Sequence, residues 1–269
     1  MKRLNGIPVL GLGTYPLHGA DAYNAVRMAI DVGYRNIDTA QMYGNESDVG
    51  RAVKDCDVDR NELFIVTKVD PGNLQASRFS KSVAKSIADL GGPVDLLLIH
   101  WPPADRDMNA TLDRLIDEKS RGSTRAVGVS NFSPSMLRNA QLHTSGAIVC
   151  NQVEFHPLLA QHEILATAHE LGVVLEAYSP IARGAALAPQ IIQEIAIRVQ
   201  RPPSEVVLRW IVQQGVIPIP MTTKKQNAVS NLRALEFELN EEDMNAISSL
   251  GTKSGRTVDP GSMQGRWNT

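Results

Sequence analysis

Cysteine is scarce. The 269 residues contain two, Cys56 and Cys150, far apart and outside any CxxC spacing, so neither a disulfide framework nor a cysteine zinc site is expected. Both are expected to pack as small buried hydrophobes. There is no basic excess either: the formal net charge is -2, which gives no general attraction to nucleic acid or anionic membranes and makes any basic site a local one. No segment approaches the roughly 20 apolar residues of a membrane span, and the N-terminal MKRLNGIPVLGLG has two basic residues but no sustained apolar stretch. With 43% hydrophobic and 21% charged residues, what remains is an ordinary globular chain, expected to be a cytoplasmic monomer with one large core.

After an Asn5-Gly6 turn signal, short β-type runs alternate with amphipathic stretches, and no polar linker interrupts them. Strands are expected over residues 9–12, 34–37, 63–67, 95–99, 126–129, 148–152, 173–176 and 216–219. Helices are expected to begin near Asp21, Glu46, Leu74, Asn109, Pro134, Gln161, Gln190 and Lys225, with an extra one over 204–213 and another after Asn240. Ser133 before Pro134 offers an N-cap oxygen and a proline whose missing N–H costs nothing in the first turn. Gly33 and Gly172 suit the left-handed residue that ends a helix.

Eight βα units can close into a barrel or lie open as a doubly wound sheet. A dinucleotide-binding open sheet needs GxGxxG after its first strand, whereas Gly11-Leu12-Gly13 runs into Thr14-Tyr15-Pro16. The expected fold is therefore a single-domain α/β (β/α)8 TIM barrel over residues 1–269, with a short N-terminal hairpin and a C-terminal tail.

Barrel chemistry sits at the C-terminal strand ends. There the order Asp38, Tyr43, Lys68, His100 brings a carboxylate, a phenol, an ammonium and an imidazole to one mouth. Carbonyl reduction by hydride transfer needs an acid for the developing alkoxide. Tyr43 suits that role if the Lys68 ammonium lowers its pKa, while Asp38 keeps Lys68 charged and His100 orients the carbonyl oxygen. Taken singly, each has a bland reading as a buried acid, a strand-end lysine, a loop aromatic or a core histidine; the joint placement favours chemistry.

Gly33-Tyr34-Arg35-Asn36-Ile37-Asp38-Thr39-Ala40 with Tyr43-Gly44-Asn45-Glu46 closely resembles the first signature of the aldo-keto reductases. Val66-Thr67-Lys68, Leu98-Ile99-His100-Trp101-Pro102, Gly128-Val129-Ser130-Asn131-Phe132 and Tyr178-Ser179-Pro180 follow in the family's order. The resemblance covers essentially the whole chain and looks most like small bacterial members of the 2,5-diketo-D-gluconate reductase type. It implies a tetrad of Asp38, Tyr43, Lys68 and His100 with Tyr43 as proton donor. It also implies NADPH lying extended across the barrel mouth, with NADH as the alternative. By position, Ser130, Asn131 and Gln152 would hold the nicotinamide carboxamide and Tyr178 would stack on its ring. Thr14 and Asp38 would lie nearby, and Ser179 and Ile181 would begin the loop over the pyrophosphate.

At the adenine end the chain departs from the family pattern, with Met221-Thr222, Asn227 and Ser230-Asn231 where many members have Lys-Ser, Arg and Glu-Asn. Asn227 lacks the charge an arginine would bring to a 2'-phosphate; Lys224 and Lys225, with the Thr222 hydroxyl, are the expected compensation at a helix N-terminus. Tyr15, Met42, Trp101 and Phe132 are candidate pocket residues for a small carbonyl such as 2,5-diketo-D-gluconate or methylglyoxal. The tail over 252–269 is expected to close one side, with Trp267 either reaching the pocket or anchoring the tail.

Two other readings stand beside this one. A cofactor-binding barrel that senses redox state would not need the tetrad intact. A metal-dependent barrel needs ligands converging from several strand ends, but His143, His156, His162 and His169 fall in helices or later loops, so no metal is expected. A short-chain dehydrogenase would need a Tyr-xxx-Lys pair, and Ser47 stands at that spacing from Tyr43.

Overall fold

The computed structural model describes residues 2–103 and 107–261; Trp267 and the end of the tail lie outside the described residues. A hairpin comes first, β1 (Arg3–Leu4) and β2 (Ile7–Pro8), paired antiparallel. Its turn residues Asn5 and Gly6 both have positive φ, 46° and 86°, as a type I′ turn requires. Eight parallel strands follow as neighbours in chain order: β3 (Leu12–Gly13), β4 (Asn36–Asp38), β5 (Phe64–Val69), β6 (Val94–Ile99), β7 (Thr124–Ser130), β8 (Ile148–Glu154), β9 (Val174–Tyr178) and β10 (Val216–Pro218).

The sheet closes on itself. Gly11 N donates to Pro218 O at 3.0 Å and Gly13 N to Pro220 O at 3.3 Å, joining the first barrel strand to the last. The two glycines are what permit the approach: a Cβ on Gly13 would stand 2.8 Å from Ile219 O, and one on Gly11 would stand 2.9 Å from Ile219 Cγ2. Gly11-Leu12-Gly13 is thus a barrel seam rather than a phosphate loop.

Helices α1 (Gly19–Val32), α2 (Glu46–Lys54), α3 (Phe79–Leu90), α4 (Met108–Ser120), α5 (Pro134–His143), α6 (His162–Leu171), α7 (Gln190–Val199), α8 (Pro203–Gln213), α9 (Lys225–Arg233) and α10 (Glu241–Ser248) surround the barrel. The expected end chemistry is present. Ser133 Oγ accepts from Met136 N at 3.4 Å and Asn240 Oδ1 from Asp243 N at 2.8 Å, while Gly33 and Gly172 end α1 and α6 in the left-handed region. α3 starts at Phe79 rather than near Leu74, because Asp70 Oδ1 accepts from Gly72 N at 2.6 Å and winds Pro71–Asn73 into a separate short turn.

The large apolar cluster lies between strands and helices; a smaller one, Ile7, Val66, Leu96, Leu98, Cys150, Val174 and Ile217, fills the barrel interior. Ile7 brings the hairpin into this inner cluster, so the hairpin plugs one end of the barrel. Two residues further along the same strand faces, Lys68, Gln152 and Glu176 succeed Val66, Cys150 and Val174, and all three are buried. The interior therefore changes from apolar to polar toward the C-terminal strand ends.

Candidate active site

Asp38 ends β4, Lys68 stands near the end of β5, and His100 follows β6 directly. Tyr43 closes a single helical turn, Gln41–Tyr43, after β4. That turn is fixed from below: Gln41 Oε1 accepts from Asp70 N at 3.0 Å and Gln41 Nε2 donates to Ser86 at 3.1 Å. Asn45 Nδ2, at the start of α2, donates to Leu17 O at 2.8 Å and holds the adjoining loop.

The four expected groups meet. Lys68 Nζ donates to Asp38 Oδ1 at 2.6 Å, to Thr39 O at 2.9 Å and to the Tyr43 oxygen at 3.2 Å. The ammonium thus spends all three of its protons within the site. Because Lys68 donates to the phenol oxygen, the Tyr43 hydroxyl hydrogen remains available to another acceptor. The His100 ring meets Tyr43 edge-on, with centroids 5.5 Å apart.

Burial acts on each group. It works against the Lys68 charge, but Asp38 and Tyr43 more than offset it and hold the ammonium above its ordinary pKa. Burial pushes Asp38 up, with Lys68 and Gln152 pulling the other way. Burial and the Lys68 charge push His100 well below the ordinary imidazole value, so it is neutral at pH 7. For Tyr43 the outcome differs from the sequence expectation: burial, with the Asp38 charge and Tyr15 adding to it, raises its pKa against the opposing pull of Lys68. The ammonium limits the rise; it does not make Tyr43 an unusually strong acid in the free protein.

The residues expected around the nicotinamide form one wall. Ser130 Oγ donates to Gln152 O at 2.8 Å, Asn131 Nδ2 to His100 O at 3.0 Å, and the Tyr178 hydroxyl to Asn131 Oδ1 at 2.8 Å. Thr14 Oγ1 donates to Asp38 O at 2.9 Å. Asn131 and Ser179 have left-handed backbones, φ 64° and 49°, a conformation uncommon for residues other than glycine and more readily adopted by asparagine. Gln152 Nε2 points inward, donating to Asp38 Oδ2 at 2.8 Å and to Glu176 Oε2 at 3.1 Å, so its amide nitrogen serves the interior network. Ile181 is half-buried against the main core.

At the far end, Met221, Lys224, Lys225 and Asn227 are exposed, while Thr222 and Asn231 are buried. Thr222 Oγ1 accepts from Lys224 N at 3.1 Å, and α9 begins beside it with no side chain capping its first N–H groups.

Of the pocket candidates, Tyr15 packs on Tyr43 with centroids 5.1 Å apart and Trp101 stacks beside His100 at 6.4 Å. Tyr15 and Met42 are exposed at the mouth. Phe132 is a correction: only 2% exposed, it lies in the main apolar cluster, because the reversed backbone at Asn131 turns the chain back toward the helix layer.

Two carboxylates escaped the sequence reading. Glu176 sits in the interior network, and Glu154, at the end of β8, holds the tail: Glu154 accepts from Thr257 N at 2.8 Å and Val258 N at 3.1 Å, and His156 Nε2 lies 3.0 Å from it. The signal for Glu176 was a charged residue at an inward position of an otherwise apolar strand, Val174-Leu175-Glu176-Ala177-Tyr178, whereas Glu154 follows Asn151 and Gln152 on a strand that is not apolar throughout.

The Aldo/keto reductase family model matches residues 9–252. The chain belongs to the aldo-keto reductases. It is 38% identical to the methylglyoxal reductase DkgB of Yersinia pestis over 97% of this chain and 99% of that protein. Its fold superposes, with a TM-score of 0.95, on a crystal structure assigned as a 2,5-diketo-D-gluconic acid reductase B, at 36% identity over 99% of this chain and 96% of that one. A Gox0644 variant in complex with NADPH superposes with a TM-score of 0.88 at 31% identity, over 94% and 93% of the two chains. Among the described residues, no helix of this aldo-keto reductase is long and apolar enough to cross a membrane, and no group of histidine, cysteine or carboxylate side chains is arranged to hold a metal ion.

Proposed function

We propose that the protein reduces small carbonyl compounds with NADPH, Tyr43 acting as the proton donor. The observation that carries this reading is the Lys68 ammonium, buried and shared between Asp38 and the Tyr43 oxygen. When Tyr43 gives its proton to the substrate oxygen, the phenolate left behind sits 3.2 Å from that ammonium. Stabilisation therefore acts where charge develops, and Asp38 keeps the ammonium charged throughout. Neutral His100, beside Tyr43, helps to orient the carbonyl oxygen.

NADPH, when bound, supplies the hydride. The chain's residues suit it: Ser130 and Asn131 present hydroxyl and amide groups of the kind a carboxamide pairs with, and half-exposed Tyr178 offers a ring face for stacking. Lys224, with the Thr222 hydroxyl and the uncapped start of α9, suits a 2'-phosphate, because a helix N-terminus and an ammonium both favour an anion. The NADPH complex of a structural relative supports the same choice.

The names of the relatives point to methylglyoxal and 2,5-diketo-D-gluconate as substrates. The test is the loss of NADPH absorbance with purified protein, and separately of NADH, against both compounds and a set of aromatic aldehydes. Turnover with NADPH supports the reading. Cofactor binding with no turnover on any carbonyl contradicts it and favours a redox-sensing barrel.

A further inference from the structure

Beneath the proposed tetrad lies a second carboxylate that the mechanism above does not use. Glu176 is fully buried at the inward position of β9 between Val174 and Tyr178. Its Oε1 accepts from Asn36 Nδ2 at 3.1 Å, and its Oε2 accepts from Gln152 Nε2 at 3.1 Å. The same Gln152 nitrogen donates to Asp38 Oδ2 at 2.8 Å. One amide therefore joins two buried carboxylates, and Lys68 reaches the pair through Asp38. With both acids ionised the interior carries an uncompensated negative charge; with one protonated it is neutral.

A second observation concerns how Asn36 can serve both states. Asn36 Oδ1 is buried with no hydrogen-bond partner among the described residues. The two ends of an amide have the same shape, so Asn36 turned end for end presents that oxygen to Glu176. A protonated Glu176 then donates to it while the amide nitrogen moves into the unpartnered position, so Asn36 can serve Glu176 in either protonation state with the same number of satisfied polar atoms.

We propose that Glu176 is a positioning residue of the reduction: its protonation state, felt through Gln152 and Asp38, governs how readily Tyr43 releases a proton. This rests on the assignment of Tyr43 as donor. Protonated Glu176 leaves Lys68 balanced by Asp38 alone, and the phenolate forming on Tyr43 is stabilised. Ionised Glu176 adds a negative charge to the same interior, opposes the phenolate and slows proton transfer. The Glu176 proton never reaches the substrate; it exchanges with solvent as the site titrates.

The neighbours allow the effect to be seen. Glu176 faces Asp38 on β4, Lys68 on β5 and Cys150 on β8, while β3 and β10 contribute no titratable side chain. Burial, with Asp38 adding to it, pushes Glu176 up to about 7. Lys68, Tyr43 and the buried Cys150 thiol are all held above their ordinary values, and His100 is driven well below its own. Titration near neutrality thus belongs to the carboxylate pair.

The experiment is single-turnover hydride transfer, followed by NADPH absorbance across the neutral pH range, for the wild type, Glu176→Gln and Tyr43→Phe. The wild-type rate is expected to fall as pH rises through neutrality, by up to about tenfold for each pKa unit lost in Tyr43 acidity. Glu176→Gln, with the shape but no charge, is expected to be flat over the same range. A flat wild-type profile, or a break that persists in Glu176→Gln, overturns the proposal. If Glu176→Gln does not fold, infrared spectra of the wild type decide it: a protonated-carboxyl band that disappears as pH rises through neutrality supports the proposal, and its absence overturns it. Tyr43→Phe separates the two layers. Turnover surviving there overturns the donor assignment itself, whereas turnover lost there with an unmoved break in Glu176→Gln overturns only the role of Glu176.

Discussion

The Lys68 ammonium donates to the Tyr43 oxygen across 3.2 Å from a site with no exposure of its own. A lysine so placed keeps its proton because Asp38 lies 2.6 Å away, and Asp38 keeps its charge for the same reason. Neither residue is tolerable there alone.

Lys68→Met is therefore expected to destabilise the fold by about 3–5 kcal/mol at neutral pH, since it strands a buried carboxylate. The double variant Lys68→Met/Asp38→Asn should recover a large part of that loss. Urea unfolding of the three proteins checks both statements; equal losses in the single and double variants would contradict the coupling.

The barrel seam makes a second prediction. A methyl group on Gly13 would meet Ile219 O at 2.8 Å, a backbone atom that cannot rotate away. Gly13→Ala should cost about 1–3 kcal/mol, the usual range for overpacking, read as a lowered thermal midpoint; a midpoint equal to the wild type's would contradict the close approach at the seam.

The meeting of Asp38, Tyr43, Lys68 and His100 was legible in the sequence because a barrel brings consecutive strand ends together whatever their separation along the chain. Asp38, Lys68 and His100 needed only the strand positions, and the strand positions needed only the alternation of runs. Phe132 was misread for a reason the sequence does not display: the left-handed backbone at Asn131 reverses the chain and sends the next side chain outward. Glu176 and Glu154 went unread because a charged residue in a strand reveals its direction only through strand parity, and their partners Asn36 and Thr257 are far away in sequence. The two glycines of the seam were noticed for what they failed to match; their need arises from contact with residues near 219.

The tail should respond to acid. Burial works against the Glu154 charge, but hydrogen bonds from His156, Thr257 and Val258 outweigh it and hold the pKa below the ordinary 4.5. A depressed carboxylate contributes stability that is present above its ordinary pKa and lost as pH falls through the depressed one. Tail release is thus expected below about pH 4.5. At neutral pH, Glu154→Gln should loosen the segment and speed tryptic cleavage after Arg256 by about tenfold, for about 1.4 kcal/mol of lost anchoring. Cleavage at the wild-type rate would contradict the anchoring role.

The adenine end predicts a difference between cofactors. If Lys224 faces a 2'-phosphate, Lys224→Ala should weaken NADPH by about tenfold, the loss of one charge-assisted contact, and leave NADH within about twofold. Fluorescence titration gives both constants. Equal effects on the two cofactors would mean that the lysine is merely a solvated residue at the start of α9.

The most direct test of the central claim is turnover by Tyr43→Phe, measured beside its NADPH affinity. The proposed mechanism requires only the phenol oxygen there, and the ring that packs against Tyr15 and His100 is retained. The account predicts turnover reduced by at least about 100-fold, the lower end of acid–base contributions, with NADPH affinity unchanged. Substantial turnover in a protein that binds NADPH normally would contradict it.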